Sequence, residues 1–369
     1  MSRDDEEARV TLAVEFPHES ERSMKRWAKR IAIGIGALLV LAIVFGSVAE
    51  VVMRSRAARE YPAPGRLVDV GDRHIQLDCR GSGSPTVVLE SGLDNLGSLS
   101  WALVHDSIET TTRTCAYSRA GIMWSDADPI AFDSKRVSED LHAALTKAGE
   151  RPPFVVVGHS LGGPYALLFT GHYPSEVAGL VFVDASHPDQ LEQLRKATGK
   201  SMEAPTGMLS AVAALSWTGI VRLVPDGGPS KLPPAAIAAA GAYTSTSLGP
   251  TLRELKGLAP TLNAAGQYRQ LGDRPLVVLT AMAPMPDAVL KSAGMTREQG
   301  DRMRTAWKGL HDDEATWSTH SRHELVPDAT HYIHLDRPDV VIRAVREVVG
   351  AVRDGAVAGT AALPAPSSR

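Results

Sequence analysis

Residues 154–168, FVVVGHSLGGPYALL, join a continuous apolar run to a glycine-rich turn and then to a helix-compatible segment. Runs of Val and Phe without polar alternation are typical of strands that are buried on both faces of a parallel sheet. The turn fits G-x-S-x-G with Ser160 at its centre. In a strand–turn–helix setting this pattern predicts a nucleophile elbow, in which a sharp turn exposes the serine hydroxyl above the sheet.

Similar strand-like runs lie on both sides of this segment. They are LVDV (67–70), HIQLDC (74–79), TVVLE (86–90), TCAY (114–117), GLVFVD (179–184), PLVVLTA (275–281) and HELVP (323–327). Helix-compatible segments separate most of them, which indicates an α/β fold. Between about 187 and 270 the sequence is rich in Ala, Leu and Pro and shows no clear strand. We therefore predict an eight-stranded, mostly parallel sheet over 66–352, with helices on both faces and a helical cap inserted after strand 6.

The composition excludes several classes of protein. Of the 369 residues, 44% are hydrophobic and 22% are charged, which is typical of a globular chain. The net charge of −3 shows no basic excess, so we expect no nucleic-acid partner. Two cysteines cannot supply a four-cysteine zinc site. We predict neither a cofactor nor a metal site.

An uncharged run of 19 residues, IAIGIGALLVLAIVFGSVA (31–49), lies near the start of the sequence. A helix of that length spans roughly 28 Å, close to the hydrocarbon thickness of a bilayer. Basic residues flank it on both sides, and the weak bias favours the N-terminus inside. We predict a cytoplasmic tail (1–30) and a transmembrane signal anchor (31–53), with the catalytic domain outside the cytoplasm. A buried core helix and a signal peptide cleaved after Ser47-Val48-Ala49 are the alternatives.

Two connecting segments and two cysteines complete the organisation. Prolines and a glycine in 54–65 predict a linker, and small residues with proline in 353–369 predict a disordered tail. Cys79 and Cys115 each lie in or at the end of a strand-like run. A disulfide and two buried thiols both fit this pattern, so the pairing stays open.

A serine nucleophile at the elbow needs a base, because its hydroxyl is a weak nucleophile at neutral pH. The chain has 12 histidines, and His331 is distinguished by its place between the last strand and the final helix. His334, three residues later, is the local competitor and fits a packing role better. We therefore predict His331 as the base.

The base in turn needs a carboxylate to orient it. Asp184 ends the strand-like run 179–184, whereas Asp287 lies six residues beyond the run 275–281, after two prolines. We favour Asp184, because rigidly supported side chains hold catalytic geometry better. Asp287 remains the alternative.

The oxyanion of a tetrahedral intermediate needs backbone donors. The amide of Leu161, directly after the serine, is one predicted donor. The second is expected in the loop after TVVLE, where Ser91 and Gly92 allow a tight turn. We choose Leu93, with Gly92 as the fallback.

These segments together resemble the α/β-hydrolase superfamily. The resemblance is carried by VVLESG (87–92), YSRAGIMWS (117–125), GHSLGG (158–163) and THYIHLDRP (330–338). It covers about 66–352, and it implies a serine–histidine–acid site in which either aspartate fits. Three positions depart from the pattern of the family: Ser91 replaces a frequent histidine, Ser118 a usual aspartate and Met123 a usual glycine.

The function that follows is hydrolysis of a small-molecule carboxylic ester, or of a related acyl compound, through an acyl-enzyme. Haloalkane dehalogenases and epoxide hydrolases resemble this fold but require a carboxylate where Ser160 stands. The apolar residues of the cap, Trp217 and Ile220 among them, suit either an apolar acyl group or the core of the cap. An acyltransferase, a peptidase or lipase, and a non-catalytic membrane-tethered binding module are the alternatives.

Overall fold

The computed structural model describes residues 18–201, 206–223 and 231–361, with side chains from residue 23 to residue 355 within those ranges. The described residues form one sheet of eight strands. The strands are β1 Arg66–Asp69, β2 His74–Arg80, β3 Thr86–Glu90, β4 Thr114–Ser118, β5 Phe154–His159, β6 Val177–Val183, β7 Leu276–Ala281 and β8 Ser321–Val326. Each coincides with a predicted strand segment to within two residues.

The strand order is β1-β2-β4-β3-β5-β6-β7-β8. The pairs β1–β2 and β2–β4 are antiparallel, and every pair from β4 to β8 is parallel. The predicted fold class is therefore confirmed. Because parallel strands point the same way, the segments that follow β3, β5, β6 and β8 all begin at one edge of the sheet.

Helices cover both faces of the sheet. In chain order the helices of the described residues, those of the cap and the N-terminal segment included, are α1 His18–Glu60, α2 His105–Glu109, α3 Ser134–Lys147, α4 Gly162–His172, α5 Gln190–Thr198, α6 Gly207–Ala214, α7 Pro234–Lys256, α8 Leu258–Ala265, α9 Asp287–Ser292, α10 Arg297–Glu314, α11 Ile333–Asp336 and α12 Pro338–Ala361. Val88 of β3 belongs to the same buried cluster as Leu141 of α3. Its neighbour Val87 belongs to the opposite cluster, with Ile108 of α2 and Val341 of α12. Burial on both faces explains why the strand sequences are continuously apolar.

A disulfide joins Cys79 of β2 to Cys115 of β4. The two residues are direct partners in the antiparallel pair. The alternatives that the sequence left open are thus decided in favour of the bond, which ties the antiparallel edge to the parallel part of the sheet.

The cap occupies the connection between β6 and β7. It contains α5 to α8 and three short 3₁₀ helices, Ser216–Thr218, Ile220–Leu223 and Gly266–Tyr268. The hydroxyl of Ser247, on the long helix α7, accepts a hydrogen bond from the backbone amide of Met123 at 2.9 Å. The cap is therefore held directly on the loop that follows β4.

Helix α1 contains the whole apolar run 31–49 and is long and apolar enough, by length and composition, to cross a membrane. The prediction of a linker over 54–65 is wrong in its first half, because α1 continues to Glu60. The reason is local: 54–60 is rich in Ala and Arg, which favour helix, and Arg56 pairs with Glu60 one turn later at 2.7 Å. The same helix covers 18–30, and the residues before 18 lie outside the described part.

The prediction of a disordered tail over 353–369 is also wrong in part. Helix α12 continues from the predicted helical stretch to Ala361. Arg353 contributes to this extension, because its Nε donates a hydrogen bond to the carbonyl of Ser84 at 2.8 Å. Residues 362–369 lie outside the described residues.

Candidate active site

Ser160 lies between the end of β5 and the start of α4. Its φ of 51° is one that few non-glycine residues adopt. The turn is tight: a Cβ atom on Gly158 would lie 2.5 Å from the carbonyl oxygen of Gly162. The predicted strand–turn–helix elbow is therefore present, and it leaves the serine partly exposed at the carboxyl edge of the sheet.

His331 approaches Ser160 from the loop between β8 and α11. Its Nε2 atom lies 2.9 Å from Ser160 Oγ, and its Nδ1 atom lies 2.7 Å from Asp184 Oδ2. Because a carboxylate only accepts hydrogen bonds, Nδ1 carries the proton and Nε2 is left to accept from the serine hydroxyl. An imidazole in this arrangement can take the proton of the serine.

Asp184 directly follows β6, and its side chain is 3% exposed. Its φ of 45° is again unusual for a residue with a side chain. Its Oδ1 atom accepts hydrogen bonds from the amide of Ala281 at 2.8 Å and from Nε1 of Trp307 at 3.1 Å. Two donors from different elements thus fix the carboxylate, and its other oxygen faces His331.

Asp287, the alternative acid, lies elsewhere. It is the first residue of α9, its side chain is 93% exposed, and its carboxylate forms an ion pair with Arg297. Of the two carboxylates that the sequence left open, the structure brings Asp184 to His331.

Two buried histidines pack beside His331. The Nε2 atom of His159 donates a hydrogen bond to the backbone carbonyl of His331 at 2.9 Å. Burial, with repulsion from His334 and His331 in addition, holds the pKa of His159 well below its usual range. Burial also lowers the pKa of His334 to about 3, and its ring packs 5.0 Å from that of Trp101. Both therefore stay neutral and support His331 without adding a charge.

The loop after β3 lies against the nucleophile. A Cβ atom on Gly92 would lie 3.0 Å from Ser160 Cβ and 2.9 Å from His159 Nδ1, so a larger residue does not fit here. The backbone amides of Leu93 and Leu161 donate no hydrogen bond to any described residue. The N–H groups of these two predicted oxyanion donors therefore have no acceptor among the described residues.

Arg119 holds this loop, although the sequence did not single it out. Its guanidinium donates to the carbonyl of Ser91 at 2.8 Å and to the carbonyl of Gly92 at 2.6 Å. The carbonyl of a trans peptide points opposite to the following N–H. With the Gly92 carbonyl directed at Arg119, the Leu93 amide is turned away from it and stays available to an anion.

Arg119 is itself fixed by two carboxylates. It pairs with Glu90, at the end of β3, and with Glu254, on the cap helix α7, each at 2.8 Å. All three side chains are 5% exposed or less. Burial raises the pKa of Glu90 to about 7 although the guanidinium opposes the shift. The ion pairs link the cap to the loop beside Ser160, and no local motif signals a contact between residues 135 positions apart.

Glu314, at the end of α10, is a buried acid near Asp184. Its side chain is 1% exposed, and its Oε2 atom has no hydrogen-bond partner within the described residues. Burial raises its pKa well above the usual range, and the charges of Asp184 and Asp313 add to the effect. A protonated Glu314 adds no second negative charge beside Asp184.

A group of potential metal ligands, Cys79, Cys115 and Glu150, occurs in the described residues. Its two sulfur atoms are bonded to each other, so neither offers a thiolate to an ion. The group lies on the β2–β4 pair and has no contact with Ser160 among the described hydrogen bonds and ion pairs.

The sequence matches a family model described as the alpha/beta hydrolase fold over residues 85–210. An uncharacterized protein of Schizosaccharomyces pombe is 33% identical over 159 residues, and one of Bacillus subtilis is 24% identical over 164 residues. These matches span 35% and 44% of this chain, but only 30% and 50% of the relatives. An uncharacterized vacuolar membrane protein of Saccharomyces cerevisiae is 29% identical over 127 residues, which are 33% of this chain and 20% of that protein.

Solved structures share the fold at low sequence identity. A putative epoxide hydrolase from Pseudomonas aeruginosa superposes with a TM-score of 0.56 and 16% identity, covering 80% of this chain and 98% of that one. A thermophilic esterase from Thermogutta terrifontis superposes with a TM-score of 0.50 and 18% identity, covering 78% and 98%. One neighbour is described as an epoxide hydrolase and the other as an esterase. The likeness therefore extends to the fold and not to the reaction.

Proposed function

We propose that this chain, which matches the alpha/beta hydrolase fold model over residues 85–210, is a serine hydrolase that cleaves a carboxylic ester, or a related acyl compound, through an acyl-enzyme. The observation that carries the proposal is the continuous contact from Ser160 Oγ to His331 Nε2 and from His331 Nδ1 to Asp184, at 2.9 and 2.7 Å. Three residues that are far apart in sequence meet at the carboxyl edge of the sheet in the order that nucleophilic catalysis requires.

In the first half of the reaction, His331 Nε2 takes the proton of Ser160 as Oγ attacks the carbonyl carbon of the ester. The negative charge that develops on the carbonyl oxygen is stabilised by the amides of Leu161 and Leu93. Asp184 holds the tautomer of His331 and stabilises the imidazolium. When the tetrahedral intermediate collapses, His331 returns the proton to the leaving alcohol, and the acyl group stays on Ser160.

In the second half, His331 takes a proton from a water molecule that attacks the acyl carbon. The same two amides stabilise the second oxyanion, and collapse releases the acid while the proton returns to Ser160. Each oxyanion donor in such sites contributes roughly 3 kcal/mol to the transition state.

The residue at the elbow separates this proposal from the other chemistry of the fold. A serine forms an ester with the acyl group, and water then attacks the acyl carbon. Epoxide hydrolases and haloalkane dehalogenases form an alkyl ester on a carboxylate, which Ser160 cannot supply. This difference favours acyl chemistry, although an epoxide hydrolase is among the structural neighbours.

We further propose that α1 anchors the catalytic domain to a membrane on the extracytoplasmic side. The length and composition of the apolar run support insertion. The Cys79–Cys115 bond supports the orientation, because structural disulfides persist in oxidising compartments.

The test uses the full chain in nanodiscs with methanol added as a competing acceptor. p-Nitrophenyl esters of graded acyl length identify the preferred acyl group, and esters of that acyl group with different leaving groups are then compared. Esters of one acyl group with different leaving groups should give the same ratio of methyl ester to free acid, because all of them pass through one acyl-enzyme. A ratio that changes with the leaving group would argue against the intermediate. Absence of turnover on every ester would reject the esterase proposal.

A further inference from the structure

The cap carries a group of large apolar side chains on its outer surface. We call it the cap face: Met208, Leu209, Leu215, Trp217, Ile220 and Leu223, which are between 40% and 83% exposed. The side chain of Trp217 is 52% exposed, and none of the described residues of α6 is buried. The three short helices that carry these side chains pack on one another, and large exposed apolar patches mark interaction sites. The face does not line the site at Ser160, because these side chains point into solvent.

The cap face lies beside α1. The 3₁₀ helix Ser216–Thr218 packs on α1 so closely that a Cβ atom on Gly46 would lie 2.3 Å from the carbonyl oxygen of Thr218. Gly46 is within the apolar run 31–49, three residues before its end. At 1.5 Å per residue, Thr218 is therefore level with a point about 4.5 Å inside the run. Trp217 precedes Thr218 in the same 3₁₀ helix.

An ion pair holds the cap at this level. Glu50, directly after the apolar run, is 1% exposed, and its Oε2 atom accepts a hydrogen bond from Nε of Arg222 at 2.6 Å. Its Oε1 atom accepts from the hydroxyl of Ser245 on α7 at 2.5 Å. Two cap elements thus bind one side chain of α1, so the depth of the cap follows from the depth of the helix.

We propose that the cap face is a membrane-docking surface that lies in the headgroup and upper acyl region of the bilayer beside α1. The occupant is a phospholipid bilayer, because the face continues a run whose own composition suits hydrocarbon and reaches the level at which that run ends. Amphipathic segments with Trp and Leu on one side lie in this region with their apolar side buried about 5–10 Å. Trp217 is the type of residue that is enriched there.

The docking has a consequence for the substrate, which rests on the proposed ester hydrolysis. Helix α7 runs from Ser245, at the α1 contact, to Glu254, which binds Arg119 beneath the oxyanion loop. Those nine residues span about 14 Å of helix. The site at Ser160 is therefore within a short distance of the lipid surface, and the substrate class is an ester that is dissolved in the bilayer rather than in water.

The first experiment places a nitroxide label at residue 217 by the substitution Trp217→Cys in the full chain in nanodiscs, leaving the native disulfide intact. The matched control is Leu325→Cys. Leu325 is exposed, on β8, which is five strands away from β4 in the sheet, roughly 24 Å. We expect the label at 217 to collide more with oxygen than with a water-soluble nickel complex, and the label at 325 to show the reverse. Equal access of the nickel complex to both labels would overturn the proposal. Dipolar broadening at 217 would also overturn it, because a second copy of the chain would then cover the face.

The second experiment separates docking from chemistry. The double variant Trp217→Ser, Ile220→Ser should lose about tenfold in the rate on a long-chain ester incorporated in the nanodisc, because two large apolar side chains no longer hold the cap in lipid. Its rate on a short, water-soluble ester should stay within about twofold of the parent, as should both rates of Leu325→Ser. Equal losses on both esters, or no loss on either, would reject the bilayer substrate. If the parent hydrolyses neither ester, the proposed function fails, while the label at 217 still decides the docking.

Discussion

The carboxyl edge of the sheet and the outer face of the cap differ in whether their side chains find partners within the chain. At the edge, Asp184 receives three hydrogen bonds from three different elements, and the two buried histidines beside His331 are held neutral. On the cap face, large apolar side chains project from short helices, and none of the described residues of α6 is buried. The polar groups at the edge form their hydrogen bonds within the chain. The apolar side chains of the cap face leave water only if a partner outside the chain covers them.

This difference indicates where each region obtains its geometry. The geometry of the edge depends on the fold alone, so single substitutions there should remove activity without changing where the protein resides. The geometry of the cap depends on its surroundings, so substitutions there should change access to substrate and spare the chemistry. One side-chain path between the two regions runs through α7, from Ser245 to Glu254 and Arg119.

The largest effect is expected at the nucleophile and its base. Ser160→Ala and His331→Ala should each lower kcat on p-nitrophenyl esters by about 10⁴–10⁶, and the double variant should lose little more, because the two residues act as a unit. Ser292→Ala, at an exposed serine hydroxyl of α9, is the matched control and should keep full activity. Additive losses in the double variant would show that the two side chains act separately.

The next effect separates the two aspartates. Asp184→Asn keeps the shape of the side chain but favours the wrong tautomer of His331, and kcat should fall by about 10⁴. Asp287→Asn changes an exposed ion pair and should leave kcat within about twofold. Steady-state kinetics of both variants decide the point, and a larger loss in Asp287→Asn would reverse the assignment.

Arg119→Lys tests how the loop beside Ser160 is positioned. A lysine has no planar fork, so it cannot bind the Ser91 and Gly92 carbonyls together with Glu254. If the Leu93 amide is misplaced, kcat should fall by about 10²–10³ while KM changes little. Arg269→Lys, at a partly exposed ion pair with Asp189, is the matched control. An equal fall in kcat and in thermal stability for both variants would indicate a structural role only.

The smallest effect concerns Glu314 and is a matter of stability. Burial raises the pKa of Glu314 in the folded chain, so the folded state keeps a proton that the unfolded state releases as the pH rises above about 4.5. The free energy of unfolding of the parent chain therefore falls as the pH rises from about 4.5 to the pKa of Glu314 in the folded chain. Glu314→Gln has no proton to release at this position, so it does not show this fall. The difference in Tm, variant minus parent, should increase from pH 5 to pH 8, by about 2–4 °C for each kcal/mol.

The matched control for Glu314→Gln is Glu298→Gln, because Glu298 is 82% exposed on the same helix. Its difference in Tm from the parent should stay constant across the same pH range. A constant difference for Glu314→Gln as well would show that the carboxyl is ionised in the folded chain.

Much of the fold could be predicted from the sequence because its signals are local. Strands buried on both faces appear as continuous apolar runs, and the elbow combines a run, a turn and a helix within 15 residues. The predicted linker and tail are wrong in part because the helical preference of 54–60 and the hydrogen bond of Arg353 outweigh the nearby proline and small residues. Where a helix ends depends in part on contacts with distant residues, and a local sequence pattern does not reveal these contacts.

Some residues of the candidate site have local signals in the sequence, and others depend on contacts between distant segments. Ser160 and His331 are marked by their positions after strands, and the preference for Asp184 over Asp287 depends on rigid support at a strand end, which is a local property. Arg119 and Glu254 could not be paired from the sequence, because their contact joins the loop after β4 to a helix inserted much later. The two roles expected for Trp217 and Ile220, binding an apolar acyl group or forming the core of the cap, are both wrong, because these side chains are 52% and 40% exposed. Composition does not determine which side of a short helix faces solvent.

The most direct test of the central claim is the site of covalent labelling by a fluorophosphonate. The full chain in nanodiscs is treated with the probe and digested, and the adduct is located by mass spectrometry. We expect a single phosphonylated residue, Ser160, with labelling slowed by about 10³-fold or more in His331→Ala, because the hydroxyl then lacks its base. Labelling at another residue, or labelling of Ser160 at the same rate without His331, would contradict it.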